Sequence, residues 1–307
     1  MAACTPAAPA ARHWPCCRCP TLCWTTSDTG PAMCLIAFAL NADPACPLLI
    51  AANRDEFLDR PTAPLHRWRL DDGTEVVGGR DLRDGGTWLG LSPQGRLAML
   101  TNVRQPLQGP ARRSRGELVT RWLQSDGDAQ RFAAGIAPAE YGAFNLVVGD
   151  FHARAWHWLG NRHPDAPHSP QASVLHQRTL GAGIHGLSNA SLNTPWPKTQ
   201  QLKAAIGESL RSASDWLSPL SRALTQDQPA QDPELPKTGV PDDWERALSS
   251  PFVRMADRAY GTRTSQVVSV RAQPQGFAVN VHEWTHDPAL PVAHLRPEQS
   301  RLESLVW

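Results

Sequence analysis

The sequence predicts an α+β fold in which two antiparallel sheets are sandwiched between helices, a four-layer αββα arrangement. Three observations lead there: strand-like segments come in an early and a late batch, helical patterns lie between them, and turn-forming residues join neighbouring strands. Apolar runs at 35–40 and 48–52 flank Asn41-Ala42-Asp43-Pro44 and read as a hairpin. Strand-like segments follow at 75–77, 88–91 and 97–103. A helix is expected over Gly116–Gln124, with Leu118, Trp122 and Leu123 on one side and Ser114 as its N-cap. Segments 144–148 and 153–158 form a second hairpin around Gly149-Asp150. Helices are expected at 197–210, opened by a proline that a first helical turn tolerates, and at 213–224. The Pro/Asp/Gln-rich stretch 226–241 reads as a loop, and strands at 262–270 and 277–284 close the chain.

Composition divides the chain at Met33. All seven cysteines lie at or before Cys46, five of them (Cys4, Cys16, Cys17, Cys19 and Cys23) in the first 32 residues, so the body is no disulfide scaffold. Residues 1–32 hold neither an apolar run of signal-peptide length nor an amphipathic repeat, and are expected to be a disordered leader absent from the mature protein. Cys16, Cys17, Cys19 and Cys23 are spaced closely enough to hold zinc, but no second Cys or His pair completes a finger, so no metal is expected. Residues 33–307 suffice for a single domain. Charge is balanced, 30 basic against 29 acidic residues, which speaks against a nucleic-acid partner. Arg112, Arg113 and Arg115 form the one basic knot and read as a solvated loop. The chain has no apolar run long enough to span a membrane, and the cysteine usage fits a reducing, cytoplasmic setting. Glycines near 78–79 and 85–86 lack phosphate-loop spacing, so no nucleotide cofactor is expected. Trp68, Trp88, Trp156, Trp158 and Trp196 read as core rather than as the lining of a pocket for a flat ligand.

The first hairpin carries the chemistry. A chain that starts at Met33 and loses it exposes Cys34 as an N-terminal residue, with a nucleophilic thiol and a basic α-amine together. Antiparallel partners about a turn at Asp43-Pro44 place Cys34 opposite Asn53 and Arg54. Directly opposed Cβ atoms lie ~5 Å apart. A guanidinium there favours the thiolate, the form that attacks. Period-two alternation sends Arg54 and Glu56 to one face and Asn53 and Asp55 to the other. The free amine, titrating near ~7.7–8.0 against ~8.5 for the thiol, can accept its proton without a histidine. No Cys-His pairing is evident, and no histidine is assigned a role.

Met33-Cys34, Asn53-Arg54-Asp55-Glu56-Phe57 and Arg60-Pro61 resemble the opening of the NRDE-motif family, which includes the eukaryotic transport and Golgi organisation proteins. The resemblance continues through Gly78-Gly79-Arg80-Asp81, Gly86-Thr87-Trp88-Leu89-Gly90, Leu100-Thr101-Asn102-Val103-Arg104, Ser114-Arg115-Gly116, Leu187-Ser188-Asn189, Pro195-Trp196-Pro197-Lys198 and 260–265. It implies the αββα fold of N-terminal-nucleophile hydrolases, and an outline similar to cysteine amidases acting on bile-acid conjugates and penicillin V. By that likeness Cys34 is the nucleophile, Arg54 and Asp55 hold and polarise it, Asn189 and Asn102 supply oxyanion donors, and Arg263 completes the site. Those amidases space their Arg and Asp three apart, whereas Arg54 and Asp55 adjoin, which leaves Asp55 and Glu56 both open for the carboxylate role. The implied activity is hydrolysis of a non-peptide amide or acyl group of a small molecule. The alternative is a binding or trafficking protein for a hydrophobic metabolite such as haem, lipid or acyl-CoA.

Overall fold

The early apolar runs pair as the hairpin arithmetic requires, and the sandwich is built around them. The structure, a computed structural model, describes residues 33–106, 111–169, 174–212, 215–287 and 295–307. The leader and its cysteine cluster lie outside the described residues. In chain order the elements are β1 (Met33–Asp43), β2 (Cys46–Phe57), β3 (Thr62–Arg69), β4 (Glu75–Asp81), β5 (Leu89–Leu91), β6 (Arg96–Asn102), α1 (Gly116–Gln124), α2 (Ala129–Ala134), β7 (Phe144–Asp150), β8 (Ala155–Gly160), β9 (His176–Thr179) and β10 (Gly183–Leu187). There follow α3 (Pro197–Arg211), α4 (Leu217–Leu224), α5 (Asp242–Ala247), β11 (Arg254–Met255), β12 (Tyr260–Gln273), β13 (Gly276–Thr285) and β14 (Ser300–Val306).

One sheet runs β10-β1-β2-β12-β13-β14, with β11 beside β12. The other runs β3 to β9 in sequence order. All pairings are antiparallel. Alternation along β1 and β2 sorts their side chains between two layers. Ile36, Phe38, Leu40, Leu48 and Ile50 meet Val77, Leu89, Met99 and Val147 of the second sheet. Leu35, Ala37, Leu49 and Ala51 meet Leu202, Ile206, Leu220 and Leu224 of α3 and α4. Trp122 and Leu118 of α1 and Phe132 of α2 cover the far side of the second sheet, on Ala98, Leu146 and Val148. These contacts fix the layer order as helix, sheet, sheet, helix, and each fully buried large apolar side chain contributes about 1.5–3 kcal/mol.

Several elements depart from expectation. The helix α1 is preceded by Arg115 at its N-cap with no side-chain cap, and Ser114 contributes only its carbonyl, 3.3 Å from the Glu117 N–H. Strands β3, β9, β11 and β14 and helices α2 and α5 are additions to the sequence reading. The helix expected at 213–224 is described from Leu217, with residues 213–214 outside the described residues. The tryptophans at 68, 88, 156 and 158 are buried, as a core reading requires, whereas Trp196 is only partly buried and its ring lies 4.9 Å from the Arg104 guanidinium. Among the described residues no helix is long and apolar enough to cross a membrane, and no group of His, Cys, Asp and Glu could hold a metal ion.

Candidate functional site

The start of β1 lies beside the end of β2, and the register selects Arg54 rather than Asn53 as the residue directly opposite Cys34. Both side chains point between the sheets. Cys34 is 8% exposed and Arg54 5%. The Arg54 guanidinium lies 4.4 Å from the centre of the Trp88 ring, within cation–π range. Its Nη2 lies 3.3 Å from Glu56 Oε2 and 4.0 Å from Asp81 Oδ2, and its buried Nη1 has no hydrogen-bond partner. Trp88 holds its place because residue 79 is glycine. A Cβ there would sit 2.2 Å from the indole ring.

Asp55 and Glu56 divide between the faces. Glu56 shares the face of Arg54 and also lies 3.8 Å from Arg60 Nε, while Arg60 itself pairs at 2.7 Å with both Asp81 and Asp84. Asp55 faces the helix layer with no exposure. Its Oδ1 accepts from Thr262 Oγ1 at 2.6 Å and its Oδ2 has no partner. Burial raises the Asp55 carboxyl, against the nearby Lys198 charge.

Asn189 follows β10 at the position that extends the β1 pairing (Ile36 opposite Leu187) to Cys34. Ser188 Oγ lies 3.2 Å from the Cys34 carbonyl and 3.0 Å from Asn189 Oδ1, and Asn189 Nδ2 donates to the Asn102 carbonyl at 2.9 Å. That chain of contacts joins the start of β1 to the end of β6 in the other sheet. Arg263 occupies a bulge in β12, between Thr262 opposite Asp55 and Thr264 opposite Arg54. Its Nη1 donates to the carbonyls of Phe57 at 2.9 Å and Arg60 at 3.0 Å, so part of its hydrogen-bonding capacity fastens the turn after β2. Cys34, Arg54, Asp55, Asn189 and Asn102 thus gather at one end of the sandwich, and Arg263 sits one strand further along.

The sequence reading missed four participants. Lys198, in the first turn of α3, is buried with no partner for Nζ, and burial together with the Arg104 charge lowers its ammonium. Arg104 is fully buried. It pairs with Glu245 through Nη1 and donates from Nη2 to the Leu248 carbonyl at 3.3 Å. Glu245 in turn accepts from the Thr238 N–H and hydroxyl, both at 2.6 Å. Arg115, read from the sequence as part of a solvated knot, is instead half-buried and within electrostatic reach of Cys34, Glu56, Arg60 and Asp84. Lys198, Arg104 and Arg115 all stand in the motif segments quoted above, and that was the only signal available for them.

With Met33 attached, the Cys34 thiol is pushed up to about 12. Burial is the main cause, the Asp55 charge adds to it, and Arg54 opposes it. The Met33 side chain is fully buried among Val240, Trp244, Leu248, Val253, Met255 and Tyr260, and its N–H lies 3.0 Å from the Tyr260 hydroxyl.

Four layers with a cysteine at the head of an inner-sheet strand define the class, an αββα sandwich of the kind the resemblance to N-terminal-nucleophile hydrolases implied. The chain belongs to the Transport and Golgi organisation 2 family, whose model matches residues 33–288. It is 34% identical over 258 residues to a Transport and Golgi organization protein 2 homolog of Bos taurus, and 33% identical over 261 residues to the Homo sapiens homolog. Each match covers 78% of this chain and 89% of the relative. Among solved structures, an N-acylethanolamine-hydrolyzing acid amidase ortholog of Caenorhabditis elegans is similar at a TM-score of 0.43 and 10% identity, covering 76% of this chain and 91% of that one.

Proposed function

We propose that the chain, once it begins at Cys34, is a cytoplasmic N-terminal-cysteine hydrolase acting on a non-peptide amide or acyl group of a small molecule. The observation that carries the reading is the direct opposition of Cys34 and Arg54, with the partnerless Asp55 Oδ2 buried on the neighbouring face. In this reading the neutral α-amine of Cys34 accepts the thiol proton, and the ammonium so formed gives Asp55 Oδ2 the donor it lacks. The new positive charge draws the thiol down from the value that burial gives it. As sulfur attacks the substrate carbonyl the ammonium gives its proton to the departing amine, the C–N bond breaks, and water then hydrolyses the acyl-Cys34 thioester and restores the thiol. Asn189 Nδ2 has a second proton to offer the developing oxyanion, and Asn102 lies beside it. Arg54 stabilises the thiolate, Glu56 holds Arg54, and Arg263 anchors the turn that carries Arg60.

A second reading, non-catalytic binding of a hydrophobic metabolite on the same fold, is favoured by the raised thiol of the chain that retains Met33. At neutral pH that thiol is roughly a thousandfold less ionised than an ordinary cysteine. Alkylation by iodoacetamide, followed against pH, separates the two. A chain processed to Cys34 should show an inflection below ~8, and one extended by a single alanine, or carrying Arg54→Ala, a higher one. A high inflection in all three would leave only the binding reading.

A further inference from the structure

The thiol face of the site is built of guanidinium groups that outnumber their local partners. Two carboxylates are shared: Glu56 lies 3.3 Å from Arg54, 3.8 Å from Arg60 and within electrostatic reach of Arg115, and Asp81 lies 4.0 Å from Arg54 and 2.7 Å from Arg60. Arg60 is otherwise taken up by Asp81 and Asp84. Among the described residues Arg115 and Arg263 have no carboxylate within 4 Å. Arg115 Nη1 donates to the Ala143 carbonyl at 3.5 Å, and Arg263 donates to two carbonyls. Asp59, the remaining acid near Arg263, is exposed, so solvent screens it. Arg54 Nη1, on a side chain 95% buried, is left without a partner. The neutral thiol of Cys34 does not supply the missing anion.

Buried donors without acceptors mark a place where a ligand or ordered water completes the set. We propose that Arg54 and Arg115, flanked by Arg263, form a subsite beside the Cys34 sulfur for a monoanionic carboxylate on the ligand. Guanidinium donors match carboxylate geometry in pairs, and such bonds are stronger than neutral ones. A single negative charge suits the site, because Glu56, Asp81 and Asp84 already offset most of the four guanidiniums and would repel a dianion. The substrate or cargo is thus an acidic small molecule whose carboxylate lies within a few bonds of the group presented to sulfur. The inference deepens the reading above but does not depend on processing or on nucleophilic attack.

Ligand-observed NMR titration with butyrate, its neutral isostere butyramide, and butyl phosphate tests it on the full chain. Butyrate should bind at least tenfold more tightly than butyramide. Arg115→Gln should abolish that preference and Arg115→Lys should restore part of it, while Arg222→Gln on the exposed face leaves it intact. Equal binding of acid and amide, binding of neither, or a preference that survives Arg115→Gln would overturn the subsite. Tighter binding of butyl phosphate would overturn its monoanion assignment. Cys34→Ala should keep the preference, so a failed nucleophile and a failed carboxylate subsite give different results.

Discussion

Glu245→Gln is expected to lower the unfolding free energy by about 3–5 kcal/mol, the cost of leaving a buried charge without its partner. Arg104 has no exposure, so its guanidinium cannot turn to water once Glu245 is neutral. The same carboxylate accepts two bonds from Thr238, so the substitution also disturbs the segment before α5. Urea unfolding of the wild type, the variant and an Arg222→Ala control measures the effect. The exposed Arg222–Glu208 pair, 2.8 Å apart, should be worth no more than about 1 kcal/mol. A loss of that small size at Glu245 would mean that water reaches Arg104. Replacing both partners, as Arg104→Met with Glu245→Leu, should recover much of the loss, because an apolar pair of similar volume removes the stranded charge.

His286 should make the fold acid-sensitive between pH 6.5 and about 4. Its Nε2 lies 2.8 Å from Ser265 Oγ, whose proton goes to Asn53 Oδ1 at 2.6 Å, so Nε2 carries hydrogen and donates to that hydroxyl. Burial first, and the Arg254 charge second, bring its folded pKa down to about 4 from 6.5. A depressed folded pKa means that the unfolded chain takes up the proton first. The contribution is complete above pH 6.5 and is lost as pH falls through 4. The shift corresponds to roughly 3 kcal/mol. His286→Gln keeps a donor but does not titrate, and the difference between its stability–pH curve and the wild type's isolates the contribution from that of the carboxylates. Parallel curves between pH 7 and 4 would refute it.

What could be read from the sequence was what short-range periodicity controls. A turn of known position and a period of two sufficed to set Cys34 against Asn53 and Arg54 and to part Asp55 from Glu56, and the register then chose Arg54. The same periodicity could not say which face met helices, and so gave no hint that Asp55 shares a buried layer with Lys198, 143 positions away. A lysine in a helix's first turn looks like any surface lysine until the sheet beneath it is known. Strand β14 escaped notice because it is an edge whose side chains are mostly exposed, leaving no apolar alternation to detect. Arg115 escaped because Arg112 and Arg113 beside it do face solvent. For these residues the deciding contacts come from segments far away in the chain. The site's outline was nonetheless visible in the motif segments, whose joint order along the chain was more informative than any one of them.

The bulge in β12 separates one residue from the arithmetic of the sheet. Thr262 faces Asp55 and Thr264 faces Arg54, which are themselves neighbours, so the ladder on either side closes without residue 263. Excising it would leave Thr262 and Thr264 adjacent with their alternation intact and would move no core side chain to the wrong layer. Arg263 therefore behaves as an insertion carried by the strand: its position beside the site can be occupied or vacated independently of the fold. The anchoring of the Phe57–Arg60 turn, and the positive charge it brings there, form a separable module on an otherwise continuous sheet.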